Sequence, residues 1–301
     1  MTTTHIDAMA QAIIAAHSAQ LALPVETHPA ESFSQDDDVY RAAKQACLRM
    51  GFIDVDAECV AQAWHTMAER TGQFDASRWP DQPADFGMTA WPRPKAFASC
   101  PSQLGLYAVL PDAAWVARMA QAGIPTLQLR FKSDDAAAIA REVKAAVEAV
   151  RGSQSLLFIN DHWQAAIAAG AYGVHLGQED MEIANLGAIR KAGLRLGLSS
   201  HGYAEMLRAD AHSPSYVAMG AVYATTLKRM VTPPQGPGRL HAYACLMRDY
   251  PLVAIGGVDE TRLDAVLASG VGSVAVVRAI VAAEQPETIA RRWMQRIDAK
   301  F

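Results

Sequence analysis

Residues 156–180, LLFINDHWQAAIAAGAYGVHLGQED, read as strand, helix, strand and loop. The apolar run 156–159 stops at Asn160-Asp161. Residues 162–170 are long enough for a helix, rich in alanine and closed by Gly170. Residues 173–176 form a second short strand, followed by Gly177-Gln178-Glu179-Asp180. Short apolar strands alternating with helices predict a parallel sheet. Ligands of such sheets sit beyond the carboxyl ends of the strands. Asn160, Asp161 and Asp180 fall there, one strand apart. Two carboxylates held together repel unless a cation lies between them. Hard oxygen ligands in an incomplete shell suit Mg²⁺, which keeps waters and takes phosphate oxygens. The plainer alternative has Asp161 capping the next helix and Glu179-Asp180 in a solvated turn. The pairing at matching strand ends favours the metal.

Outward from this unit the alternation is regular. Strands are expected at 104–110, 126–130, 156–159, 173–176, 194–198, 216–220, 252–255 and 273–277. Alanine- and leucine-rich helices lie between them, for example at 113–122, 134–150, 203–211 and 261–268. Eight strand–helix units in just under 200 residues predict an α/β fold, a (β/α)₈ TIM barrel near its lower size limit. A doubly wound open sheet competes, but no G-x-G-x-x-G follows the first strand.

Residues 1–103 have another texture, and the division expected is a helical region over 1–103 and the barrel over 104–301. Helices are expected over 7–23, from Asp37-Asp38 to Met50, and from Asp56 to Thr71. Then come Trp79, Phe86, Trp91, Phe97 and five prolines between Pro80 and Pro101. That connector is too apolar for a free linker and should pack on a neighbour. Trp64-His65 and the acidic run 36–38 read as packing and a helix cap rather than a site.

The 301 residues carry a formal charge of −4 without a basic run, which argues against nucleic-acid binding. Cys47, Cys59, Cys100 and Cys245 form no Cys-x-x-Cys pair, so neither a zinc site nor a disulfide framework is expected. The apolar stretch 8–23 lacks a basic start and is interrupted by Gln11, His17 and Gln20, unlike a signal peptide or membrane span. The expectation is a soluble protein of a reducing compartment, the cytoplasm, with no membrane partner. A homo-oligomer stays open.

The other strand ends supply chemistry. Gln128, Arg130 and Lys132 share one face of strand two, running from the interior to the mouth. A buried arginine needs an anionic partner. A planar fork beside a mobile point charge suits pyrophosphate, with a core carboxylate as the plainer partner. Strand five ends Ser199-Ser200-His201, groups that can donate to phosphate or cap the next helix. After strand six, Thr225-Thr226-Leu227-Lys228 opens a Gly/Pro-rich segment that reads as an active-site lid, with Lys228 over developing charge. Gly256-Gly257 after strand seven and the helix start after Val277 suit a monophosphate.

Taken together, QLRFK, FINDHW, GAYGVHLGQED, RLGLSSH, GAVYATTLK, VAIGG and GVGSVAVVRAI, in this order, resemble the thiamine-phosphate synthase family over about residues 104–293. The resemblance implies a transferase of thiamine biosynthesis with two small-molecule substrates. One is a hydroxymethylpyrimidine diphosphate and the other a thiazole phosphate, and they are joined with release of pyrophosphate. Position by position, Asp161 and Asp180 match the family's Mg²⁺ ligands. Arg130, Lys132, Asn160, Ser199 and Lys228 match its diphosphate contacts, and Gln128 its pyrimidine contact. Thr225 and the backbone of Gly257, Val277 and Arg278 match its thiazole-phosphate site. The chain departs from the pattern at Leu227, where the family carries a hydroxyl that Thr226 can replace, and at Arg278, where it carries serine. Both bear on turnover and thiazole affinity rather than on the fold. Two alternatives are a thiazole tautomerase-like enzyme and a non-catalytic thiamine-phosphate-binding barrel. The charged set at strands two to four argues against both. The first 103 residues lie outside the family's core and suit a brace, an interaction module or a shrunken remnant of a fused pyrimidine-kinase domain.

Overall fold

The computed structural model describes residues 3–25, 32–225 and 232–300. The chain opens with three helices, α1 (Thr3–Leu21), α2 (Asp38–Arg49) and α3 (Asp54–Thr71). Asp37 caps α2 by accepting the Tyr40 backbone N–H at 2.8 Å. Helix α1 starts earlier than the sequence suggests. Helix α3 begins at Asp54, two residues before the expected start at Asp56. Trp64 is fully buried and His65 faces Asp37 and Glu69, which fits packing.

The strands are β1 (Gly105–Leu110), β2 (Thr126–Leu129), β3 (Leu156–Asn160), β4 (Gly173–Leu176), β5 (Arg195–Ser200), β6 (Tyr216–Met219), β7 (Leu252–Ile255) and β8 (Ser273–Val276). They run parallel and close in chain order, β1 pairing with both β2 and β8, which decides for the barrel over the open sheet. Outside the barrel lie α4 (Ala113–Gln121), α5 (Ala136–Ala149), α6 (Trp163–Ala169), α7 (Gln178–Ile183) and α8 (Leu186–Lys191). They are followed by α9 (Tyr203–Ala211), α10 (Gly236–Leu246), α11 (Leu263–Leu267), α12 (Arg278–Val281) and α13 (Pro286–Asp298). Side-chain caps from Asp112, Asp135 and Asn185 start α4, α5 and α8.

Alternation along the strands divides the barrel residues between two cores. The lumen is filled by Tyr107, Val109, Phe158, Tyr216, Ala218, Val253 and Ala275. The buried hydroxyls of Tyr107 and Tyr216 bond each other at 2.8 Å, and burial pushes both phenols above their usual range. The second core lies between the strands and the outer helices and continues into the N-terminal layer, where α3 packs on α9 and α1 on α10. The connector packs too. Trp79 Nε1 donates to the Tyr203 hydroxyl at 2.9 Å, and Phe86 stacks on the Tyr203 ring. Arg93 pairs with Asp210 at 2.7 Å, both side chains 7% exposed. No helix among the described residues is long and apolar enough to cross a membrane.

Candidate active site

A cavity of about 860 Å³ opens at the carboxyl ends of the strands. Strand β2 stops at Leu129, so Gln128 lines the cavity from within the strand and Arg130 and Lys132 from just beyond it. Asn160 and Asp161 enter from the end of β3, Asp180 from α7 and Ser199 from β5. Thr225, Gly257, Val277 and Arg278 line the opposite wall. Thr226, Leu227 and Lys228 lie outside the described residues.

Two of the plainer readings do not hold. Asp161 does not cap α6: its φ is 62°, and the cap position is His162, which makes no side-chain cap bond. Its carboxylate instead accepts from the Asn160 amide, and its backbone N–H donates to the His175 carbonyl at 3.0 Å. Gln178–Ile183 is a helix rather than a loop, so Asp180 sits in the first turn of α7. Burial, and then the Asp180 carboxylate beside it, push the Asp161 carboxyl up to about 6. The two acids face each other closely enough to share a proton or a cation. No cluster of three or more His, Cys, Asp or Glu side chains among the described residues could hold a metal. Two carboxylates offer hard oxygen ligands of the kind an ion such as Mg²⁺ takes when water and phosphate complete its shell.

On the same side, Ser199 Oγ meets His175 Nε2 at 2.8 Å, and His175 Nδ1 meets the Tyr216 hydroxyl at 2.7 Å. Ser199 lies within β5, so it caps nothing, and Ser200 Oγ turns to the Ala218 carbonyl. His201 is held by Glu205, its Nδ1 2.6 Å from the carboxylate. Across the cavity, Gly256 and Gly257 take φ of 103° and 63°, a region that favours glycine, and pack so closely on residues 221–224 that a side chain at either would collide with them. Arg262 donates to the Gly257 carbonyl at 2.7 Å and lies over the Tyr223 ring. The side chains of Arg130, Lys132 and Arg278 make no hydrogen bond or ion pair with any described residue.

Every predicted site residue that is described therefore lines one cavity. The reading missed His175 and Arg262. Period-two counting along β4 would have found His175, which lines the cavity from that strand. Arg262 has no such signal, since it comes from a turn beyond β7.

A family model described as thiamine monophosphate synthase matches residues 106–280. A thiamine-phosphate synthase of Neisseria meningitidis is 52% identical over 197 residues, 65% of this chain and 96% of the relative. One of Yersinia pestis is 46% identical over 204 residues, 68% of this chain and 95% of the relative. Among solved structures, a thiamine phosphate pyrophosphorylase of Pyrococcus furiosus is similar at a TM-score of 0.56 and 26% identity. That match spans 64% of this chain and 96% of the other.

Proposed function

Since this chain belongs to the thiamine monophosphate synthase family and shares its transferase activity, we propose that the cleft joins a hydroxymethylpyrimidine diphosphate to a thiazole phosphate, giving thiamine phosphate and pyrophosphate. The observation that carries this is one cleft that gathers three cations, Arg130, Lys132 and Arg278, none in a hydrogen bond or ion pair with a described residue, and a crowded carboxylate pair. Positive charge beside two neighbouring acids is complementary to a polyanion and its metal.

Arg130 and Lys132, with Asn160 and Ser199, hold the diphosphate, and Gln128 orients the pyrimidine. Asp161 and Asp180 hold Mg²⁺, which when bound neutralises charge on the diphosphate. Thr225 and the backbone of Gly257, Val277 and Arg278 hold the thiazole phosphate, with Arg278 adding a cation where the family carries serine. By the resemblance, Lys228 is a further diphosphate contact and Thr226 supplies the hydroxyl that Leu227 lacks; both lie outside the described residues. The bond from the pyrimidine methylene carbon to the diphosphate oxygen breaks, and the diphosphate leaves with the electron pair. The thiazole nitrogen then gives its lone pair to the cationic carbon. The nucleophile is a neutral ring nitrogen, so no general base is needed. The work of the protein is to stabilise the leaving charge with fixed cations and to align two rings. The His175 ring, 2.8 Å from Ser199 Oγ, fixes the position of that oxygen in the cleft.

The test is an assay of purified full-length protein with both substrates, in Mg²⁺ and in EDTA. Thiamine phosphate formed only with Mg²⁺ is the expected result. Binding of either substrate without product would overturn the catalytic reading.

A further inference from the structure

The family match begins at residue 106, yet the helices before it reach into the part of the barrel that builds the cleft. Arg239 of α10 is 2% exposed. Its Nε donates to the Leu21 carbonyl at 2.8 Å, one Nη to the Met50 carbonyl at 2.9 Å and the other to Gln235 Oε1 at 3.1 Å. Its guanidinium lies over Phe52, 3.5 Å from the ring centroid. Burying a guanidinium is costly unless its donors find acceptors, and the N-terminal layer supplies two of them.

The bonding continues towards the cleft. The Tyr243 hydroxyl holds Gln235 Oε1 at 2.8 Å. The backbone N–H groups of Gln235 and Gly236 donate to the carbonyls of Ala221 and Val222, each at 2.9 Å. Those of Val222 and Tyr223 donate to the carbonyls of Ile255 and Gly256 at 3.0 and 2.9 Å. A series of bonds thus runs from Leu21 and Met50 to the glycine pair that lines the cleft. A second joint lies beside it. Asp56 of α3 accepts the Ala204 N–H at 2.8 Å, at the start of α9. A Cβ on Gly202 would stand 2.0 Å from its Oδ2, so a side chain there would expel the carboxylate.

We infer that Arg239 is a positioning residue through which the N-terminal layer sets the affinity of the Gly256-Gly257 wall for the thiazole phosphate. The inference rests on the assignment of that wall under the proposed function. It goes beyond a passive brace, because it ties the layer to one substrate rather than to the barrel as a whole.

Three variants of the full chain test it. Arg239→Lys keeps the charge and loses the fork. Gln235→Leu cuts the side-chain link while leaving the Arg239 bonds to Leu21 and Met50. Glu58→Gln loosens the layer internally, where Glu58 accepts from Lys44, Tyr40 and Ser34, and serves as the control. The first two should raise KM for the thiazole phosphate about tenfold and leave KM for the pyrimidine diphosphate within about twofold. The control should lower Tm with the ratio of the two KM values unchanged. A merely structural role would lower the active fraction, or move both KM values together. Either result, or two unchanged KM values in both variants, overturns the inference. If Arg239→Lys fails to fold, Gln235→Leu decides. Calorimetric titration with the thiazole phosphate gives the same comparison as Kd without turnover. A wild-type chain that makes no thiamine phosphate removes the proposed function. Unchanged Kd across the variants of an active enzyme removes the positioning inference alone.

Discussion

The joint between the N-terminal part and the barrel withdraws its cations from water, whereas the mouth of the barrel leaves Arg130 half-buried and Lys132 and Arg278 exposed, so the two treat charge in opposite ways. At the joint, Arg239 donates to two backbone carbonyls and an amide, and Arg93 meets the Asp210 carboxylate, the Asp210 carbonyl and the Tyr250 hydroxyl. At the mouth, Arg130, Lys132 and Arg278 have no such partners among the described residues, and Asp161 faces a second acid. Folding requires the first arrangement, since an unpaired buried charge is destabilising, and is indifferent to the second, where solvent reaches the charge. Among the described residues, cations left open to solvent beside an acid pair leave room for a ligand. The contrast separates charge that holds the fold from charge that is free of that task.

The contrast breaks most visibly at the acid pair. Asp161→Ala or Asp180→Ala should lower turnover on the order of a thousandfold or more while the circular-dichroism melt stays in place. A near-normal rate would remove the metal assignment. At the joint the effect should appear in stability instead. Arg93→Met leaves Asp210 buried without its cation and should cost about 3–5 kcal/mol in urea unfolding, with kcat per folded molecule unchanged. Arg130→Ala should do the reverse, lowering kcat/KM for the pyrimidine diphosphate about a hundredfold with little change in Tm. Arg130→Lys should recover only part, because the fork is lost; full recovery would reduce Arg130 to a point charge.

The smallest effect sharpens the comparison through pH. Asp56 is buried, and burial first, with Glu205 adding to it, pushes its carboxyl up to about 6 against the pull of the Ala204 N–H and Arg239. Cys47, Tyr203 and Tyr243 also face this pocket. A folded-state pKa above the unfolded one means that the stability it adds is complete below about pH 4 and is lost as pH rises through 6. Asp56→Asn keeps an acceptor for the cap and should remove this dependence. The stability of the wild type relative to the variant should then fall by about 2–3 kcal/mol between pH 4 and 7. Parallel curves for the two proteins would contradict the shift.

The barrel was legible because its signal is local and repeated. Each strand is an apolar run with a polar stop, and eight of them in order leave little choice. The mouth was legible for a related reason, since parallel strands deliver their terminal residues to one place. Asp161 shows the limit. Next to a helix an aspartate reads equally as a cap, and only its backbone angle of 62° turns it into the cleft. Ser199 was ambiguous until β5 proved to include it. The joint was not legible. Asp56 finds its partner 148 residues away, and Arg239 bonds backbone carbonyls, which any residue could carry. No side-chain pattern marks either contact.

Those distances have a consequence for how the chain is made. The carbonyls of Leu21 and Met50 are synthesised 218 and 189 residues before the guanidinium that occupies them. Helices α1 to α3 leave the ribosome with that face open, and it stays open while six barrel strands, β1 to β6, and the helices α4 to α9 between them are translated. The contact that seals it is among the most sequence-distant in the molecule, and such contacts bear the largest loop-closure cost. The helices made before the barrel are therefore finished only after most of it.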